Sequence, residues 1–224
     1  MAVSIRSTGI LLCSLWIGCA FFGPTASAPD HPAAQATRLS TEAQRRVTRL
    51  RPPSALERGI LLRQRVTARW EERGESFEAV VQNRGDALTV VGLGPMAMRG
   101  FTLVLDTRGV SVENRTGRDL PFVAEHILAD IQRVFYPWFE APPACDACGR
   151  QTTYGGLIVH EQIDANVLRE RRFAIAGEPD AGEVAIRYGD WWPDPLIPKH
   201  VVVENDWFGY ELTIETTSVQ RIDP

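Results

Sequence analysis

Lysine is almost missing from this chain: Lys199 is the only one, and arginine supplies the rest of the 24 basic residues. Against them stand 28 acidic residues, giving a net charge of −4, so the sequence lacks the basic footprint that nucleic-acid binding needs. The arginine bias reflects coding composition more than chemistry. No apolar run reaches the roughly 20 residues of a membrane-spanning helix. A G-x-S-x-G nucleophile elbow is missing. The four histidines, His31, His126, His160 and His200, show no H-x-x-x-H metal spacing. Gly92 and Gly94 precede Pro95 with no helix after them, which excludes a phosphate cradle. Asp190, Asp194 and Asp206 lie in turns near aromatics, and nothing singles out a carboxylate pair. No catalytic residue, metal or cofactor is expected. What is present, 224 residues at 44% hydrophobic and 23% charged, makes one globular domain with a leader, expected to be a monomer.

The leader is legible in Gly9 to Phe22 (GILLCSLWIGCAFF), a signal-type apolar segment with Arg6 as its positive flank. It has two exits. Ala26-Ser27-Ala28 has the form of an A-x-A cleavage site, although the rigid ring of Pro29 follows at once. Leu15-Trp16-Ile17-Gly18-Cys19 resembles a bacterial lipobox, with bulky Trp16 as its departure. That resemblance implies a lipoprotein signal peptide over residues 1–18 and a lipid on Cys19. With Ala20 rather than aspartate next, it also implies sorting to the outer membrane, lipid-anchored and facing the periplasm. Under the first exit Cys13 and Cys19 are discarded with the leader. Residues 19–40, rich in Ala, Pro, Ser and Thr, read as a flexible tether, and 41–224 as a single domain.

Thr41 to Leu50 reads as an amphipathic helix stopped by Pro52 and Pro53. From Leu61 the period changes to two. Leu62, Gln64, Val66, Ala68 and Trp70 share one face of a strand, and four more follow at Ser76–Gln82, Ala87–Leu93, Phe101–Asp106 and Val110–Asn114. Leu120-Pro121 opens a helix over Phe122–Phe135, whose apolar stripe is Phe122, Ile127, Ile131, Val134 and Phe135. A proline-rich loop with two cysteines comes next. Strands resume at Leu157–Gln162, Arg171–Ala176, Glu183–Tyr188, Lys199–Asn205 and Tyr210–Thr217, while Val167–Arg172 admits strand or helix. The fold is mainly β (α+β): a strongly curved, unclosed antiparallel barrel lidded by the helix, with a partly filled cavity beneath it. Loading such a cavity would require the lid to move.

Three stretches carry a likeness beyond the pattern: Met98–Asp106 (MRGFTLVLD), Leu120–Pro137 (LPFVAEHILADIQRVFYP) and Val201–Thr216 (VVVENDWFGYELTIET). They resemble a family of bacterial lipoproteins of unknown function that often accompanies aryl-polyene lipid biosynthesis genes. More distantly the chain is similar to the LolA/LolB lipoprotein carriers. The resemblance implies a non-enzymatic carrier or acceptor of acyl chains, taking a lipid or acylated ligand and meeting a periplasmic carrier protein. It also implies a protruding apolar loop at Leu93–Met98, with Pro95, Met96 and Met98 around its tip.

Cys145-Asp-Ala-Cys148 lacks the helix N-terminus of a redox pair, and zinc would need two further ligands such as His126 and His160; in an oxidising compartment it reads as a disulfide. Met96 and Met98 either touch a ligand or membrane or tuck into the core. Trp70, Phe77 and Phe101 are candidate cavity lining, and Phe122, Ile127, Leu128, Ile131, Val134 and Phe135 the lid. Trp191 and Trp192, in a proline-rich loop, are candidates for the cavity mouth. Two rivals stand beside the carrier: a structural or assembly lipoprotein recognising a partner protein, and an enzyme on lipid-linked substrates.

Overall fold

The computed structural model describes residues 39–223 except Glu57, Glu72, Pro95, Ala97, residues 142–144 and residues 193–196. Cys19 and the residues up to 38, where a leader and most of a tether are expected, lie outside the described residues. Helix α1 (Thr41–Val47) begins where the Ser40 hydroxyl accepts from the Ala43 N–H at 3.0 Å. It ends at Val47, three residues short of the expected Leu50, where the Thr48 N–H closes the last turn on the Gln44 carbonyl at 3.0 Å.

Eleven strands then form one antiparallel sheet. The first five are β1 (Gly59–Trp70), β2 (Arg73–Arg84), β3 (Ala87–Leu93), β4 (Arg99–Asp106) and β5 (Gly109–Asn114). Helix α2 (Ala124–Phe135) intervenes. The second group is β6 (Ala147–Tyr154), β7 (Leu157–Asp164), β8 (Val167–Ile175), β9 (Glu183–Tyr188), β10 (His200–Asn205) and β11 (Tyr210–Ile222). The order is β5-β4-β3-β2-β1-β11-β10-β9-β8-β7-β6, so the first and last strands pair and close two meanders into one sheet. Its edges are β5 and β6, which form no ladder with each other among the described residues, and α2 connects them.

One segment differs from expectation, and one that admitted strand or helix is a strand. Ala147–Tyr154, read as loop, is a strand in register with β7 from Ala147↔Asp164 to Tyr154↔Leu157. As an edge strand it buries little, so its sequence carries no apolar alternation. Val167–Arg172 is strand, the start of β8, and a register shift between Gln162 and Ile163 offsets its pattern.

The period-two pattern sorts the faces. Ile60, Leu62, Gln64 and Val66 point to the concave side. The convex side carries cross-strand ion pairs, Arg65–Glu215 at 2.9 Å and Arg187–Glu204 at 2.6 Å, as befits a solvated face. Helix α2 lies in the concavity and touches strands from β4 and β5 at one side to β10 and β11 at the other, which requires the sheet to curve round it.

This helix covers the sheet, and it is also covered itself. Leu128, Val134 and Phe135 are buried, and so are Asp130, Gln132 and Arg133, each 2% exposed. Every one of these polar groups is matched. Asp130 accepts from Arg133 at 2.6 Å, from Asn205 at 3.3 Å and from the Tyr210 hydroxyl. Arg133 also donates to the Val47 carbonyl, and Gln132 exchanges two 2.8 Å bonds with the backbone of Arg51, which ties the segment after α1 over the helix. From the sheet side, Arg171 donates to the carbonyls of Arg133 and Val134, and the Tyr188 hydroxyl donates to Val134 at 3.0 Å. Arg171 is held by Glu161, which pairs with Arg150 as well. The helix is therefore a core element fixed on both sides.

Candidate functional site

Beyond the N-terminal end of α2 the concavity stays open. A pocket of about 120 Å³ lies there, lined by Trp70 of β1, Phe77 of β2, Leu93 of β3, Phe101 of β4, and Leu120 and Phe122 of the segment leading into α2. Phe101 meets Phe77 edge-on at 5.9 Å and Phe122 edge-on at 5.1 Å, so the three rings form one aromatic wall. Glu75, Arg118 and Asp119 bring charge to the lining. Arg118 reaches Glu75 at 3.4 Å and is 70% exposed, which makes this a weak, screened pair.

Local chemistry builds the walls. Gly92 faces Phe101 across the β3–β4 ladder, and a Cβ on residue 92 would stand 2.1 Å from the phenyl ring. Only glycine admits the ring there. Asn114 shapes the segment that delivers Phe122. Its carbonyl oxygen accepts from the Thr116 N–H at 2.9 Å, and its amide donates to the Arg118 carbonyl at 2.7 Å. The β3–β4 loop is drawn together by the Gly94 N–H donating to the Met98 carbonyl at 2.7 Å. Met96 sits in the left-handed region at φ 58°, costly for a non-glycine residue. It is 88% exposed and Met98 58%, so neither tucks into the core.

The structure brings some of the candidate residues together and separates others. Trp70, Phe77, Phe101 and Phe122 meet in the pocket, beside the methionine loop whose Pro95 lies outside the described residues. Leu128, Ile131, Val134 and Phe135 are in the core and do not line the pocket, and Ile127 packs against that core half-buried. Trp191 and Trp192 are away from the pocket. Trp191 stacks on Tyr188 at 5.5 Å and bridges to Pro198, and Trp192 donates to the Thr216 carbonyl at 3.3 Å with Lys199 over its ring. Cys145 and Cys148 form a disulfide at the start of β6, on the opposite edge strand, with Cα atoms 6.1 Å apart. Sequence reasoning missed Gly92, Asn114, Glu75 and Arg118. Asn114-Arg115-Thr116 forms an Asx turn, the Thr116 N–H donating to the Asn114 side-chain oxygen.

Beside the pocket, His126 stacks on Phe208 of the β10–β11 turn, ring centroids 3.5 Å apart and 8° from parallel. Burial pushes its pKa below the ordinary imidazole value, and Asp130 opposes that shift. Burial and the Asp130 charge raise the Tyr210 phenol well above its usual value, and burial takes the Tyr188 phenol up to about 12, so both remain donors. Among the described residues no three His, Cys, Asp or Glu side chains gather as a metal site, and no helix is long and apolar enough to cross a membrane.

A family model for a protein of unknown function, DUF3261, matches residues 61–218, from β1 into β11. No curated protein matches the chain. Among solved structures it is similar to a LolA superfamily protein from Nitrosomonas europaea, at 11% identity and a TM-score of 0.49 over 77% of this chain and 91% of that one. It is similar also to a domain from Vibrio parahaemolyticus provisionally named for outer membrane lipoprotein sorting, at 10% identity and a TM-score of 0.41 over 80% and 90% of the two chains. A DUF1329 family protein from Desulfovibrio piger aligns at 8% identity and a TM-score of 0.41 over 73% and 85%.

Proposed function

We propose, from the premise that the chain belongs to the DUF3261 family of proteins of unknown function, that it is a non-enzymatic carrier or acceptor of apolar chains in the bacterial envelope. Its ligand is an acyl or polyene lipid, or the acyl chains of a lipoprotein. A lipid on Cys19 holds it at the outer membrane, facing the periplasm, with residues 19–40 as the tether. The observation that carries this reading is the aromatic pocket at the open end of the sheet, beside a loop that presents two methionines to solvent. Removing apolar surface from water supplies about 25 cal/mol per Å², offset by the ordering of the ligand. Methionine adapts to irregular apolar partners, which suits a loop that meets lipid.

The test is transfer. The full chain carrying Cys19→Ser and exported to the periplasm is expected to accelerate movement of a fluorescent diacyl lipid between donor and acceptor vesicles. Phe101→Asp, which places a charge in the pocket wall, is expected to abolish that acceleration. No acceleration by the unaltered pocket would contradict the reading. One further observation favours the partner-recognition rival: Val112 on edge strand β5 and Val123 are each 50% exposed, alongside the two methionines. That rival predicts a protein partner and no lipid in the pocket.

A further inference from the structure

The dimensions and surroundings of the pocket constrain what enters it. Apolar cavities of roughly 150 Å³ hold one six-carbon ring, and pockets that enclose a drug-sized ligand run to roughly 300–1,000 Å³. At about 120 Å³ this pocket has room for about five carbons of one chain. A whole diacyl or triacyl lipid fits only if the concavity empties, and what fills the concavity is α2. That helix cannot leave cheaply. Asp130, Gln132 and Arg133 are buried and bonded, and Arg171, Tyr188, Asn205 and Tyr210 reach them or the helix backbone from the sheet. Moving α2 would strand all of these groups together.

The lining also sets polarity. Apart from the Trp70 indole N–H, the side chains of Trp70, Phe77, Leu93, Phe101, Leu120 and Phe122 offer no polar partner, and a charged head group is costly to bury unpaired. The one cation of the lining, Arg118, is 70% exposed with only a weak pair to Glu75, so it can meet a charged group at the rim and not one buried among the rings.

We infer that the pocket takes a single hydrocarbon chain by its methyl end while α2 stays in place. This rests on the carrier reading and narrows it: the pocket grips one chain terminus, and the rest of the amphiphile lies outside it past Met96 and Met98.

The probes are hexadecanoates brominated at the terminal carbon or at the carbon beside the carboxylate, because bromine quenches tryptophan on contact. With the full chain carrying Cys19→Ser, the terminal bromide is expected to quench at least threefold more than its isomer. That excess is expected to vanish in Trp70→Phe. Native mass spectrometry is expected to count one chain per protein, and the amides of residues 128–135 to keep their hydrogen-exchange protection on loading. Equal quenching by the two isomers, two or more chains per protein, or loss of protection in α2 would each overturn the inference. A diacyl lipid bound with α2 deprotected would do so while leaving the carrier reading intact. If neither the hexadecanoates nor a diacyl lipid binds, both fall.

Discussion

Gly92 and Phe101 stand directly opposite each other in the β3–β4 ladder, and the phenyl ring occupies the space a side chain at residue 92 would need. The aromatic wall of the pocket depends on that vacancy. Gly92→Ala is expected to push the ring off its contacts with Phe77 and Phe122, at a cost of about 1–3 kcal/mol. Urea unfolding reads the cost, and lipid binding should weaken in parallel. A variant as stable and as competent as the parent would show that the ring has room elsewhere.

Asp130 is the junction through which α2 meets the sheet. Asp130→Ala leaves the buried Arg133 the Val47 carbonyl and the rings of Trp207 and Phe173 but no carboxylate, and it removes the acceptor of the Tyr210 phenol. The expected loss is about 3–5 kcal/mol, the usual cost of breaking one side of a buried pair. The urea midpoint should fall at an unchanged slope. A shift under about 1 kcal/mol would mean that α2 is held by apolar packing alone.

The stack of His126 on Phe208 predicts a pH dependence with a definite sign. Because burial lowers the imidazole pKa in the folded state, the unfolded chain takes up the proton first as pH falls. Stability from this site is complete above the unfolded value of about 6.5 and declines as pH drops from there to the folded pKa, then levels off. Glu125, Asp130 and Arg133 act on the same ring, so its titration is read as the difference between the parent and His126→Phe. That difference should be flat above neutrality and grow between neutral pH and the folded pKa. A difference independent of pH would remove the imidazole from the account.

The disulfide predicts a small effect confined to stability. A loop closed between residues three apart in sequence constrains the unfolded chain little, about 2 kcal/mol by chain entropy. Because Cys145 and Cys148 stand at edge strand β6 and the pocket is built from β1 to β4, Cys145→Ser/Cys148→Ser should leave lipid binding unchanged. Impaired binding would reveal coupling between the two edges of the sheet.

How much of this was legible in the sequence follows from burial. Strands β1 to β4 and β9 to β11 alternate because one face meets the core, and α2 announces itself by its stripe. Edge strand β6 has nothing to bury and leaves no such trace. The aromatics of the pocket were readable as residue types, but their meeting depends on the register that places Phe101 over Gly92 and on the Asn114 turn that brings in Phe122. Asp130, Gln132 and Arg133 read as the polar face of an amphipathic helix, the ordinary meaning of such a pattern. Their partners come from β8, β10, β11 and the α1 segment, up to 86 residues away in the chain, so the sequence of the helix gives no sign of them. Trp191 and Trp192 are half-buried, against the Tyr188 ring and the β11 backbone, which residue type and a proline-rich loop alone do not locate.

The central claim is that the aromatic pocket holds apolar ligand. The most direct measurement is native mass spectrometry of the full chain carrying Cys19→Ser, incubated with an envelope lipid extract and stripped of free lipid. A bound mass is expected that is released as lipid on denaturation and is lost in Phe101→Asp. A clean apo mass across all extracts would contradict it and leave the exposed methionines and Val112 as a surface for a protein partner.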